Sequence, residues 1–116
     1  MKPSPTQIAA AIGFCTVLLG AFGAHGLKDV LAQNGTAAIW EKAVFYQFIH
    51  VVMLFVLAER KPFPAVAWWS FLAGIALFSG SLYLLAITKL RWLGPITPVG
   101  GVSFLIGWAS LAWKSR

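Results

Sequence analysis

The stretch that decides the fold is Gly20–Lys28, with the sequence GAFGAHGLK, because it holds the first lysine after a long uncharged run. From Pro3 to Leu27 there is no Asp, Glu, Lys or Arg. A helix of about 20 apolar residues is long enough to cross the hydrocarbon core of a bilayer. We therefore predict that this stretch ends a first membrane span, with Gly26 as a left-handed cap and His25 at the helix end.

The composition around this stretch is that of a protein that has lipid as its solvent. Of 116 residues, 59% are hydrophobic and 10% are charged, whereas roughly a quarter of the residues in soluble domains are charged. The net charge is +6, but the basic residues lie at the ends of the apolar runs rather than in one patch. This distribution is typical of loop and interface anchors, and it argues against a nucleic-acid-binding protein.

Three further uncharged runs predict an all-α integral membrane protein that folds as an antiparallel four-helix bundle. The predicted spans of this single membrane domain, 1–116, are residues 5–26, 36–58, 64–88 and 98–113. Ser4 and Gln7 have the spacing of a capping box at the start of the first span. Thr36 and Thr97 are expected to cap the second and fourth spans.

The first run also has features of a secretory signal peptide, because Lys2 precedes it and Ala21-Phe22-Gly23 could serve as a cleavage site. Since the chain begins at Met1, we expect a retained span. After it, an amphipathic segment that ends at the turn signal Asn34-Gly35 is predicted to lie along the membrane interface.

Four spans place both termini on one side of the membrane. The termini and the second loop contain Lys2, Arg60, Lys61, Lys114 and Arg116. The other side contains Lys28, Lys42, Lys89 and Arg91. Since positive residues favour the cytoplasmic side, five against four predicts cytoplasmic termini.

Small residues recur at spacings of three and four along the first, third and fourth spans. In lipid, helices associate through close packing of such residues and through interhelical hydrogen bonds. The pattern predicts a packing seam, and its glycines are Gly13, Gly20, Gly23, Gly80, Gly100 and Gly107.

One ionisable side chain, His50, lies well inside a predicted span, and such a residue is a functional hypothesis by default. Together with neighbouring polar residues it predicts an intramembrane cluster of Tyr46, Gln47, His50, Ser79, Ser81 and Tyr83. Two interpretations stay open. The cluster handles protons or cations, or its side chains only form hydrogen bonds across the bundle.

Other chemistry has little support in the sequence. At 1.5 Å per residue, His25 lies about 3 Å deep and His50 about 12 Å deep, so we predict no shared metal or haem site and no cofactor. The three acids, Asp29, Glu41 and Glu59, all lie at span ends. No catalytic triad, paired carboxylate or phosphate-binding motif is present, and we therefore do not expect an enzyme.

Four blocks of the sequence carry a resemblance to known proteins: residues 20–27, the set Trp40, Ala43, Tyr46, Gln47 and His50, residues 78–83, and residues 91–98 with Gly100 and Gly101. In these blocks the chain resembles the YgdD/YwdK family of small bacterial inner-membrane proteins. The resemblance covers nearly the whole chain in order. It implies an integral inner-membrane protein and brings no activity, cofactor or partner.

The function that best fits these features is a non-enzymatic module that packs with copies of itself or with larger membrane complexes. The alternative is a small transporter or channel component that handles protons or small solutes through Tyr46, Gln47 and His50. The partners expected in either case include the lipid bilayer and exclude nucleic acid.

Overall fold

A computed structural model describes residues 2–114 of the chain, with the side chains of residues 2–113. Met1, Ser115 and Arg116, which the sequence analysis included in the single domain, lie outside the described residues. The described chain is helical, contains no strand, and has four helices that are long and apolar enough to cross a membrane. The predicted all-α fold with four membrane spans is therefore confirmed.

The four spans have clear limits. They are Pro5–Ala24, Ala37–Leu57, Ala65–Thr88 and Arg91–Trp113. The third span consists of an α-helix, Ala65–Gly74, a π-helical turn, Ile75–Ser79, and a second α-helix, Gly80–Thr88. The fourth begins with a 3₁₀ turn, Arg91–Leu93, and continues as the α-helix Ile96–Lys114. A short helix, Lys28–Asn34, connects the first two spans.

Hydrogen bonds between opposite ends establish that the first two spans are antiparallel. The Thr6 hydroxyl, at the start of the first span, donates to Glu59 just beyond the end of the second at 2.7 Å. At the other end, the Trp40 indole N–H donates to the Leu19 carbonyl at 2.9 Å. The third span pairs with the second in the same way, because Thr36 before the second span donates to the carbonyl of Ala86 near the end of the third.

The cap at the start of the first helix is the one predicted, whereas the cap at its end differs from the prediction. Ser4 and Gln7 form the capping box with both of its hydrogen bonds. The Gly26 prediction was wrong, since the helix ends at Ala24 and only Gly35 among the described glycines has a left-handed φ, of 68°. The Leu27 N–H donates to the Phe22 carbonyl at 2.8 Å, so the chain turns without a left-handed residue.

Two predicted threonine caps were also wrong, because each hydroxyl has a partner outside its own helix. Thr36 precedes the second span but makes no side-chain cap, and its hydroxyl donates to the Ala86 carbonyl at 2.7 Å. The fourth helix begins at Ile96, so Thr97 lies inside it, where its hydroxyl contacts Ser81 at 2.6 Å. Contacts with the third span thus replace the local caps.

The largest core cluster lies where the second, third and fourth spans meet. Its fully or nearly fully buried residues include Leu54, Leu57, Trp68, Phe71 and Phe104. The first span contributes little to the interior, with only Ala9 and Thr16 buried. The second, third and fourth spans therefore form most of the interior, and the first span reaches it through Ala9 and Thr16.

Candidate functional site

A directional chain of hydrogen bonds joins the first three spans inside the bundle. The Tyr83 hydroxyl donates to Gln47 Oε1 at 2.6 Å, and Gln47 Nε2 donates to Thr16 Oγ1 at 2.9 Å. The Thr16 hydroxyl in turn donates to the Ile12 carbonyl at 2.7 Å. We call these four groups the Gln47 network.

The order of donors in the Gln47 network follows from the number of hydrogens. A hydroxyl has one hydrogen, and Thr16 uses its hydrogen on a backbone carbonyl that can only accept. Thr16 must therefore accept from Gln47, which places the amide nitrogen toward Thr16 and the amide oxygen toward Tyr83. Because Gln47 is 5% exposed and Thr16 is 2% exposed, these bonds are made away from lipid.

His50 is held by a second, separate set of contacts. Its Nδ1 lies 2.7 Å from the Tyr46 carbonyl, and its Nε2 accepts from the Trp108 indole N–H at 3.0 Å. A carbonyl only accepts and an indole only donates, so both contacts are satisfied by the neutral imidazole with its hydrogen on Nδ1. The ring also stacks on Phe104, with 3.7 Å between centroids and 9° between planes.

Trp108→Phe is expected to lower the free energy of unfolding in detergent by about 1 kcal/mol, because it leaves Nε2 of His50 without a donor. Interhelical hydrogen bonds in membranes are worth on average about 0.6 kcal/mol and at most about 1.7 kcal/mol. Trp69→Phe is a matched control, since Trp69 is 65% exposed. Equal unfolding curves for the two variants would contradict a stabilising bond between Trp108 and His50.

The predicted serines also bond to neighbouring spans. Ser79 donates to the Ala43 carbonyl of the second span at 2.8 Å. Ser81 lies 2.6 Å from Thr97 Oγ1 of the fourth span and also donates to the Phe78 carbonyl. Each serine therefore joins two spans at a different position.

The six predicted polar residues are thus not brought together in one cluster. Gln47 and His50 are three positions apart on a helix with 3.6 residues per turn, so their directions differ by about 60°. Gln47 meets the first and third spans, whereas His50 meets the fourth. Tyr46 contributes its carbonyl, and its hydroxyl takes part in none of the hydrogen bonds between the described residues.

Three of the predicted seam glycines lie where helices approach most closely. A Cβ atom on Gly100 would overlap the Phe78 backbone of the third span and lie 2.7 Å from Phe78 Cα. A Cβ on Gly107 would overlap the Phe71 ring, and one on Gly23 would overlap Trp40.

The seam prediction was wrong for two other glycines. No heavy atom lies within 4 Å of a Cβ built on Gly13, and the only neighbour of one on Gly80 is the Ile75 carbonyl of the same span at 3.9 Å. Gly20 makes an ordinary contact with Val44 at 3.5 Å. Among the predicted seam glycines of the first span, only Gly23 therefore lies at a close approach, whereas Gly20 makes an ordinary contact and Gly13 makes none within 4 Å.

Several residues that make these contacts were not among the predicted site residues. Thr16 completes the Gln47 network and Trp108 binds His50. The Asn34 side chain donates to the Ala86 and Ile87 carbonyls at 3.1 Å each. No sequence signal separated Trp108 from the other tryptophans near span ends, a position that is typical of the membrane interface. Nothing in the sequence indicated the partners of Asn34.

The second histidine lies apart from these contacts. His25 follows the first span, is exposed, and donates its backbone N–H to the Ala21 carbonyl at 3.1 Å. Within the described residues, no three side chains of His, Cys, Asp or Glu lie close enough to hold a metal ion. The arrangement is one of hydrogen bonds between helices, with a single ionisable imidazole among them.

Comparison with known proteins gives several relatives of similar length. The chain is 49% identical over 96 residues to a UPF0382 membrane protein of Staphylococcus epidermidis, covering 79% of this chain and 78% of the relative. It is 42% identical over 107 residues to the UPF0382 membrane protein YwdK of Bacillus subtilis, covering 87% and 86%. The UPF0382 inner membrane protein YgdD of Escherichia coli is 46% identical over 106 residues, covering 87% and 80%.

No solved structure matches the chain. A family model described as a protein of unknown function (DUF423) matches residues 19–101, which hold the end of the first span, the second and third spans and the start of the fourth. The relatives and the four spans make this a multi-pass protein of the cell (inner) membrane. The chain belongs to the DUF423 family of membrane proteins.

Proposed function

We propose that the protein is a non-enzymatic membrane module that packs with copies of itself or with larger membrane complexes. One observation carries the proposal: in the described residues, every buried side-chain nitrogen or oxygen has a hydrogen-bond partner. Buried polar atoms that line a path for a substrate or an ion would be left for water or the substrate to satisfy, and the described residues contain no such unpartnered atom. Here the polar groups are used to hold the spans together.

The hydrogen bonds and the burial of His50 support the same proposal. Both of its ring nitrogens are engaged, and the ring is 4% exposed against Phe104 and Phe71. A protonated imidazole could not accept from Trp108, so proton transfer through His50 would break the bond to the fourth span. The Gln47 network does not include His50, and it ends at the Ile12 carbonyl, which can only accept a hydrogen bond.

The outer faces supply the surface that such a module needs. The first span contacts the second span and the short helix, and its large side chains Phe14, Val17 and Phe22 are 56% to 69% exposed. Lipid covers these side chains in an isolated protomer. Another membrane helix can replace that lipid, because in a bilayer helices associate by packing rather than by leaving water.

Cross-linking in intact membranes followed by native mass measurement tests the proposal. We expect reproducible cross-links from the exposed face of the first span, to a second copy or to the same neighbours in repeated preparations. A strictly monomeric protein with no reproducible neighbour would refute the proposed module.

A second candidate is a small transporter or channel component, and the π-helical turn Ile75–Ser79 favours it. Such turns are rare and are frequent at functional sites, because they locally change the helical register. This turn ends at Ser79, which reaches the second span one turn away from Gln47. The candidate requires water to reach His50.

Proton flux into proteoliposomes distinguishes the two candidates. For the module we expect no flux above that of empty vesicles, with or without His50→Ala. Flux in the wild type that is lost in His50→Ala and kept in Phe48→Ala, a change at a lipid-facing residue that is 53% exposed, would favour the transporter.

A further inference from the structure

A cavity of about 210 Å³ lies at the end of the bundle that contains the connection between the second and third spans. The connection supplies Arg60, Lys61 and Phe63, the start of the third span supplies Val66, and the fourth span supplies Ser110. It is distinct from the Gln47 network and from His50, and its lining is both basic and apolar.

The two cationic side chains of this cavity are not fully neutralised by the acids that the structure describes. Asp29 and Glu41 belong to the short helix and to the first turns of the second span, at the opposite end of the bundle. Glu59 is adjacent in sequence and its carboxylate accepts the Thr6 hydroxyl at 2.7 Å, but one carboxylate offsets only one of the two positive charges. The cavity therefore carries positive charge that an anionic ligand can match.

The position of the cavity along the membrane normal identifies the source of such an anion. Trp69 and Trp113 lie in the neighbouring turns of the third and fourth spans and are 65% and 76% exposed. Exposed tryptophans are enriched at the level of the lipid headgroups. Phe63 packs on Trp68 with 5.5 Å between ring centroids, so the wall of the cavity is anchored to the core at this level.

The geometry points to a binding site for the phosphate group of an anionic phospholipid, with Arg60 and Lys61 as its charged contacts. The exposed side chain of Val66, 47% accessible, gives the cavity an apolar edge against which the first carbons of an acyl chain of the same lipid would lie. This inference is independent of the proposed function, since the cavity is lined by the connection between the second and third spans and by the third and fourth spans, and it requires no second protein.

Native mass spectrometry of the full-length protein in detergent tests the site, with added phosphatidylglycerol compared with phosphatidylcholine of the same chain length. Each Lys or Arg near an anionic membrane surface contributes on the order of fivefold in affinity. We therefore expect the double variant Arg60→Gln, Lys61→Gln to bind phosphatidylglycerol about tenfold or more weakly than the wild type. The wild type should retain phosphatidylglycerol in preference to phosphatidylcholine.

The matched control is Lys89→Gln, Arg91→Gln, which removes the same charge at the other interface and should leave retention unchanged. Equal loss in both double variants would overturn the inference, because it would indicate attraction by net charge alone. Equal retention of both lipids by the wild type would also overturn it, and this comparison does not depend on a variant folding. If millimolar inorganic phosphate displaced the bound phosphatidylglycerol, the site would be one for free phosphate, and its assignment to a lipid would be refuted.

Discussion

Gly100→Ala should destabilise the protein more than any other single-methyl addition at the predicted seam. The new Cβ would lie 2.7 Å from Phe78 Cα and 2.8 Å from the Leu77 carbonyl carbon. These atoms are backbone of the third span, so no side-chain rotation can relieve the overlap. The third and fourth spans must move apart.

The separation would also weaken the hydrogen bonds on either side of Gly100. Ser81 contacts Thr97 at 2.6 Å one turn before it, and Ser103 donates to the Ser70 carbonyl at 2.7 Å one turn after it. Overpacking costs about 1–3 kcal/mol, and each interhelical bond adds about 0.6 kcal/mol. We expect a loss of about 2–4 kcal/mol in the free energy of unfolding, measured by denaturation in mixed micelles.

Gly13→Ala is the matched control for Gly100→Ala. The same methyl group would meet no heavy atom within 4 Å, and alanine is favoured over glycine in a helix interior by about 0.5–1 kcal/mol. Stability should therefore stay the same or rise. If Gly13→Ala were as damaging as Gly100→Ala, the close approach at Gly100 would not be the cause.

These two glycines illustrate how far the sequence predicts the fold. Charge-free runs and flanking Lys and Arg residues were sufficient for four spans, because the bilayer imposes the length of a helix and excludes charge from its centre. The spacing of small residues identified possible seams, and Gly13 and Gly100 fit it equally well. Which glycine meets a neighbour depends on the rotation of each helix, and that is determined by all the contacts in the bundle.

The candidate site shows the same limit. The residue types of Gln47, Tyr83 and His50 predicted that each side chain would form hydrogen bonds within the bundle, because an unsatisfied polar group in hydrocarbon is costly in free energy. The sequence alone could not show which neighbouring helix each of these side chains would contact. A rotation of about 60° separates Gln47, which meets Thr16 and Tyr83, from His50, which meets Trp108.

The π-helical turn was not predicted at all. The segment Ile75–Ser79 has the composition of an ordinary apolar helix, and no proline or glycine lies within it. A wider turn shifts the register of the residues that follow, so Ser79, Ser81 and Tyr83 point where a regular helix would not place them. Local sequence carries no signal for this shift.

Gln47→Leu should have the second largest effect, because it removes two hydrogen bonds of the Gln47 network at once. The Tyr83 hydroxyl would lose its acceptor in a half-buried position, and Thr16 would lose its donor while keeping its own bond to the Ile12 carbonyl. A buried polar group left without a partner costs about 1–3 kcal/mol. We expect a loss in this range for unfolding in mixed micelles, with the side chain of similar volume still filling the space.

Two tyrosine variants test whether that loss comes from the network rather than from packing. Tyr83→Phe should also destabilise the protein, since Gln47 Oε1 then has no donor, whereas Tyr46→Phe should be neutral because the Tyr46 hydroxyl bonds to no described residue.

Combining Gln47→Leu with Tyr83→Phe removes both partners of this hydrogen bond, so neither is left without a partner. The double variant should therefore lose less stability than the sum of the two single losses, by about 1 kcal/mol. Strictly additive losses would mean that the hydrogen bond between Tyr83 and Gln47 does not stabilise the fold.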